Sequence, residues 1–231
     1  KMNLPDHING MDQEGRNQVL IPGIKRGSFQ APIIPKTGNS KDLDDSANAW
    51  EFRTRASLKI QDGCDFMCSF CIIPFARGRS RYRDFNNLME EARLLNEEGV
   101  KEIVLTGVNI GTYRDQGKNL LDIIDSLHRL EGPERIRISS IEPTTLPEGI
   151  LERMNDSQHK LVPFLHLPLQ SGSDQILQNM KRRYQSREFI QEIQQAVDQV
   201  EGICIGTDVM VGFPGETERQ FNETRKLLEE H

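Results

Sequence analysis

From residue 57 onward, short apolar runs alternate with segments whose apolar residues recur at helical spacing. Strands are expected at residues 57–61, 102–106, 135–140, 164–167 and 203–211, each short and bounded by turn-forming residues. Between them, residues 186–200 place Phe189, Ile190, Ile193, Val197 and Val200 on one helix face, and Leu88, Ala92 and Leu95 mark another helix. Strand and helix in alternation predict an α/β domain whose parallel strands are joined by right-handed crossovers. In an open sheet or a barrel of this kind, ligands sit at the carboxyl ends of the strands. The conspicuous motifs follow strands in order: Gly63-Cys64, Gly107-Val108-Asn109, Glu142-Pro143, Gln170-Ser171-Gly172 and Gly212-Phe213-Pro214-Gly215.

Residues 1–48 lack this rhythm, carry Pro5, Pro22, Pro32 and Pro35, and read as a linker or domain edge, so the division expected is 1–50 and 51–231. With 231 residues, 36% hydrophobic and 28% charged, a buried core is expected. A formal charge of −6 means that any nucleic-acid partner must be met by a local basic patch. No apolar run reaches membrane-spanning length and no signal-peptide pattern opens the chain, so a cytoplasmic protein without membrane contact is expected.

Three of the four cysteines fall within eight positions, which suits metal chemistry in a reducing compartment better than a disulfide framework. Cys64, Cys68 and Cys71 have the spacing C-x3-C-x2-C. Three soft thiolates leave either a zinc site short of a ligand or an iron–sulfur cluster with one open iron. No further His or Cys follows until His128, which disfavours zinc, and Cys204, inside Ile203-Cys204-Ile205, is expected to be a small buried hydrophobe.

The cysteine spacing, with Phe70 before the last cysteine, resembles the signature of the radical S-adenosylmethionine superfamily. Four blocks extend the resemblance to its methylthiotransferase branch: Ile60-Gln61-Asp62-Gly63-Cys64 through Arg77-Gly78, Val104 through Gly111, His166-Leu167-Pro168-Leu169-Gln170-Ser171-Gly172-Ser173, and Asp208 through Thr217. The resemblance implies a partial (βα)6-type barrel of parallel strands, incomplete at the carboxyl end. It implies a 4Fe-4S cluster on Cys64, Cys68 and Cys71 whose open iron binds S-adenosylmethionine, and an electron donor such as flavodoxin or ferredoxin. Around that cofactor it places Phe70, Thr106, Gly107, Asn109, Ser139, Ser140, Glu142, Gln170, Ser171, Asp208, Met210 and Gly212.

The wording of the blocks is most similar to enzymes that insert a methylthio group at C2 of N6-threonylcarbamoyladenosine, at position 37 beside the tRNA anticodon. Isopentenyladenosine and a ribosomal-protein aspartate are the alternative substrates. Two arginine- and tyrosine-bearing patches, with Arg77, Arg79 and Arg81 in one and Arg183 and Tyr184 in the other, are candidates for contact with the tRNA anticodon loop. His166 stands at a strand end, while His128 and His159 read as surface residues. A metal-stabilised RNA-binding module without catalysis is the rival from another class; iron with sulfide, against one zinc, separates the two. Family members carry an amino-terminal domain with an auxiliary 4Fe-4S cluster and a carboxyl-terminal RNA-binding barrel, so the 231 residues read as the truncated core of a monomeric sulfur-group transferase. Alone they are expected at most to cleave the cofactor.

Overall fold

The computed structural model describes residues 27–31 and 54–231. Its strands are β1 (Gly27–Phe29), β2 (Arg55–Lys59), β3 (Gln61–Asp62), β4 (Arg81–Arg83), β5 (Glu102–Thr106), β6 (Arg135–Ile138), β7 (Phe164–His166) and β8 (Cys204–Gly206). Its helices are α1 (Ile73–Ala76), α2 (Phe85–Glu97), α3 (Leu120–His128), α4 (Ile150–Asn155), α5 (Asp174–Asn179), α6 (Ser186–Gln199) and α7 (Glu218–Glu230). The order β2-β5-β6 is parallel throughout, and β7 and β8 form a second parallel pair. A parallel bridge between Ile136 and Leu161 links the two, giving a row of five strands in chain order without a closed barrel.

Alternation within the strands explains how that row is used. Leu58, Ile103, Leu105, Ile136 and Ile138 are buried in one cluster with Leu88 and Ala92 of α2 and Ile123 and Leu127 of α3. The opposite face is mostly polar, with Val104 its apolar member: Ser57, Val104 and Arg137 are in register, as are Arg55, Glu102 and Arg135. Burial would raise the Glu102 carboxyl, but Arg137 and Arg55, each with Nε 2.9 Å away, hold it below its usual range. A parallel sheet covered on both faces by helices would be apolar on both. Here one face instead forms a polar wall open to a ligand.

Helix ends follow the sequence. Asp84 caps α2 by accepting from Asn87 N, and Asn119 with Asp122 forms a capping box at α3.

Several expectations need correction. The first strand breaks at Ile60, whose N–H donates to Thr106 O while its carbonyl accepts from Arg83 N, so Gln61 and Asp62 leave β2 and join β4. The last strand is three residues long, because Thr207 turns its hydroxyl onto Leu167 O instead of continuing the ladder. Within the expected linker, Gly27–Phe29 pairs in parallel with Arg81–Arg83, while residues 1–26 and 32–53, with the expected boundary between 50 and 51, lie outside the described residues. Cys204 is exposed, since its side chain belongs to the open face of β8, and Val197 is exposed although Phe189 and Ala196 of the same helix are buried.

His128 and His159 are half-buried and stacked, with ring centroids 4.2 Å apart. Burial, together with the neighbouring His128, lowers the His159 pKa from 6.5, against the opposing pull of Asp125. Asp125 is itself lowered, chiefly by its bidentate bond to Arg153 of α4 at 2.6 and 2.7 Å. Both depressed groups bind fewer protons folded than unfolded, so stability is full at neutral pH and declines as pH falls, first below 6.5 through His159 and then below 3.8 through Asp125. Urea midpoints measured across this range should show the first decline, and His159→Phe should abolish it; an unchanged first decline would contradict the assignment.

Candidate metal centre and cofactor pocket

The cysteine loop begins where β2 and β3 hand the chain from one sheet to the other, at the carboxyl end of the parallel row. Gly63 makes the turn with φ +68°, and a Cβ there would stand 2.3 Å from Arg79 O. That closeness lets Cys64 N donate to Gly78 O at 3.1 Å. At the other end, Ser69 donates through its N–H to Met180 O at 3.0 Å and through its hydroxyl to Asn179 O at 2.8 Å, fixing the loop to the end of α5.

Gln61 is the residue that joins the loop to the neighbouring strand end. It is 0% exposed; its Oε1 accepts from Val108 N and Asn109 N at 2.8 and 2.9 Å, and its Nε2 donates to Gly63 O at 2.7 Å and Ser80 Oγ at 2.9 Å. Gly107 is pressed against it, since a Cβ there would lie 3.0 Å from Gln61 Oε1. Asp62 beside it would be raised by burial, yet Lys59 and Arg77 hold its carboxyl down at about 2. Arg77 Nε and Arg81 Nη2 each lie 2.7 Å from that carboxylate.

Cys64, Cys68 and Cys71 are free and half-buried. Burial pushes the Cys64 thiol up, Phe66 N–H opposes this, and Cys68, Cys71 and Glu142 add to it. A tetrahedral zinc ion holds its thiolates about 4 Å apart, and among the described residues no three His, Cys, Asp or Glu side chains are grouped to hold a single ion. Three soft thiolates in one loop suit a cluster with one iron left open. Two contacts to sulfur complete the fit: Phe66 N donates to Cys64 Sγ and Arg182 Nη1 to Cys68 Sγ, both at 3.3 Å.

Around the thiols the structure sorts the remaining candidates. Thr106 and Gly107 end β5, and Ser139 at the end of β6 has a buried Oγ without a hydrogen-bond partner among the described residues. Such an orphan suits a ligand hydroxyl. Ser140 is exposed, and Glu142 is half-buried; its desolvation raises its carboxyl against the pull of Arg182 and Arg183. Gln170 adopts φ +65°, and its backbone brackets Val209, beyond β8, by donating to Asp208 O and accepting from Met210 N, both at 2.8 Å. Asp208 Oδ2 meets His166 Nε2 at 3.0 Å, and Gly212 turns the chain with φ +74°. Phe70 is half-exposed beside Cys71.

Three candidates have their polar groups engaged within the protein. Asn109 is buried in its own turn, accepting from Thr145 Oγ1. Ser171 is fully buried with its hydroxyl on Thr224 of α7. Tyr184 is also buried, its hydroxyl bonded to Pro168 O and Leu169 O, so it has no ring face for an RNA base. Its pKa is pushed up to about 12 by burial.

The arginines of both basic patches brace the cysteine loop. Arg77 and Arg81 hold Asp62, Arg79 faces Asp65 at 3.7 Å, and the Arg183 guanidinium covers the Phe66 ring at 3.9 Å. Gln61 and Arg182 were not singled out from the sequence. A glutamine directly before Asp62-Gly63-Cys64 was the available signal for the first, and nothing local distinguished Arg182 from its basic neighbours.

Residues 58–228 match the family model described as the Radical SAM superfamily. The chain is 44% identical over 226 residues, 96% of its length, to the threonylcarbamoyladenosine tRNA methylthiotransferase MtaB of Bacillus subtilis (strain 168), of which it covers 48%. It is 38% identical over 218 residues, 91% of its length, to the tRNA-2-methylthio-N(6)-dimethylallyladenosine synthase of Anaplasma phagocytophilum (strain HZ), again covering 48%. The chain thus spans about half the length of these curated relatives. Among solved structures, a radical S-adenosylmethionine methyltransferase, TsrM, from Kitasatospora setae superposes with a TM-score of 0.68 over 90% of this chain and 39% of that one. At 16% identity this likeness concerns the fold alone.

Proposed function

This chain belongs to the radical S-adenosylmethionine superfamily, and on that premise we propose that it is the radical-generating core of a tRNA methylthiotransferase acting at C2 of N6-threonylcarbamoyladenosine 37. The observation that carries the proposal is three free, half-buried thiols in one loop at the carboxyl end of a parallel sheet, in a chain so similar to a protein of that name.

When bound, a 4Fe-4S cluster with an iron open to S-adenosylmethionine supplies the one-electron reduction that cleaves the sulfonium. The chain's own residues do the rest of the work. Cys64, Cys68 and Cys71 hold the metal; Gly63 and Gln61 fix their loop against the end of β5. Thr106, Ser139 and Glu142 offer polar atoms at adjoining strand ends, where a cofactor's amino group and ribose would find partners. The apolar cluster behind the strands keeps water from that side of the site. Arg77 and Arg79, each with a side chain 46% exposed, can meet tRNA phosphates while bracing the loop. A flavodoxin- or ferredoxin-type donor would deliver the electron, and an auxiliary cluster would belong to the full-length protein.

The likeness to the dimethylallyladenosine synthase makes that nucleoside the second reading of the substrate. Expression of the full-length protein in cells lacking both modifications, with mass spectrometry of their tRNA nucleosides, decides between them. We expect 2-methylthio-N6-threonylcarbamoyladenosine; the dimethylallyl product would favour the second reading, and neither would contradict the proposal. Cys68→Ala should abolish the product, because two thiolates do not retain the cluster.

A further inference from the structure

Arg182 stands in a basic run beside Lys181 and Arg183, yet its side chain is only 5% exposed. Its three nitrogens are all engaged inward. Nη1 donates to Cys68 Sγ at 3.3 Å, Nη2 to Glu142 Oε1, and Nε to the Tyr184 hydroxyl at 3.2 Å, with the guanidinium over the Tyr184 ring at 5.0 Å. Tyr184 is anchored in turn on Pro168 O and Leu169 O, so the guanidinium is held from behind by the segment that follows β7. A buried cation is costly unless paired and hydrogen-bonded. Glu142 supplies the pairing and leaves the fork of the guanidinium pointing one donor at sulfur.

We propose that Arg182 is a positioning residue that sets the reduction potential of the metal cluster held by Cys68, with Glu142 as its electrostatic counterweight. The inference rests on the reading that the three cysteines hold an iron–sulfur cluster. A cluster becomes more negative on reduction. A charge-assisted N–H···S bond therefore stabilises the reduced form and moves the potential upward, and a nearby carboxylate moves it downward. The two residues should act with opposite signs because the guanidinium on Cys68 Sγ is a cation and its partner Glu142 an anion.

The test is a redox titration, followed by electron paramagnetic resonance, of the reconstituted chain and of Arg182→Gln, Arg182→Lys and Glu142→Gln. Iron and sulfide content serves as the control for assembly. Arg182→Gln should make the potential more negative, Glu142→Gln less negative, and Arg182→Lys should lie between Arg182→Gln and the parent. Equal potentials in all four proteins, or a shift of the same sign for both Gln variants, would overturn the inference while leaving the cluster intact. A parent chain that takes up no iron and sulfide would overturn the cluster reading itself, and this inference with it.

Discussion

Gly63→Ala is expected to abolish stable iron loading while leaving the rest of the domain folded. The left-handed backbone at this position, φ +68°, costs a side-chain-bearing residue about 1 to 3 kcal/mol. The new methyl would also lie 2.3 Å from Arg79 O and 2.6 Å from Gly78 O, both backbone atoms with little freedom to retreat. Relieving that overlap adds about 1 to 3 kcal/mol, and the simplest relief is to move the loop outward, which breaks the bond from Cys64 N to Gly78 O. Cys64 then loses its place relative to Cys68 and Cys71. Iron and sulfide per chain after reconstitution, with circular dichroism as the folding control, measures this; a Gly63→Ala protein with full iron content would show that the loop tolerates displacement.

Gln61→Leu should have the second-largest effect, on stability as well as on the site. Leucine fills a similar volume but offers no acceptor to Val108 N and Asn109 N and no donor to Gly63 O or Ser80 Oγ. Stranding two backbone N–H groups in this interior costs about 2 to 6 kcal/mol in all. The loss falls between the cysteine loop and the end of β5, so both chemical denaturation and cofactor affinity should weaken together. Gln61→Glu separates the contributions: it keeps the acceptor for the two N–H groups and loses the donor. It should destabilise less than Gln61→Leu near neutral pH.

The positions of the site were more legible in the sequence than the residues that hold it together. Each motif was expected directly after a strand: Gly63-Cys64 and Gly107 stand there, while Glu142, Gln170 and Gly212 come in the loops that follow β6, β7 and β8, because the period-two apolar pattern of β5 and β6 is strong and local. The cysteine spacing was likewise local information. What stayed hidden depends on residues distant in sequence: Gln61 reaches Val108 and Asn109, and Arg182 reaches Cys68. A basic run reads as a solvated face because its neighbours are charged, and only the fold shows that Arg182 turns inward while Arg183 stacks on Phe66.

The errors have the same origin. Ile203-Cys204-Ile205 is apolar throughout and so suggested a buried strand on both faces, but one face of this row is open and Cys204 lies on it. Residues 27–29 lack any pattern of their own and become a strand only because Arg81–Arg83 offers an edge.

The central claim is that Cys64, Cys68 and Cys71 hold a cluster able to cleave S-adenosylmethionine. Anaerobic reconstitution of the chain with iron and sulfide, reduction with dithionite, and quantification of 5′-deoxyadenosine, beside a Cys68→Ala control, tests it most directly. The account expects deoxyadenosine from the parent chain and none from the control. Iron-free protein, or a single bound zinc with no deoxyadenosine, would contradict it.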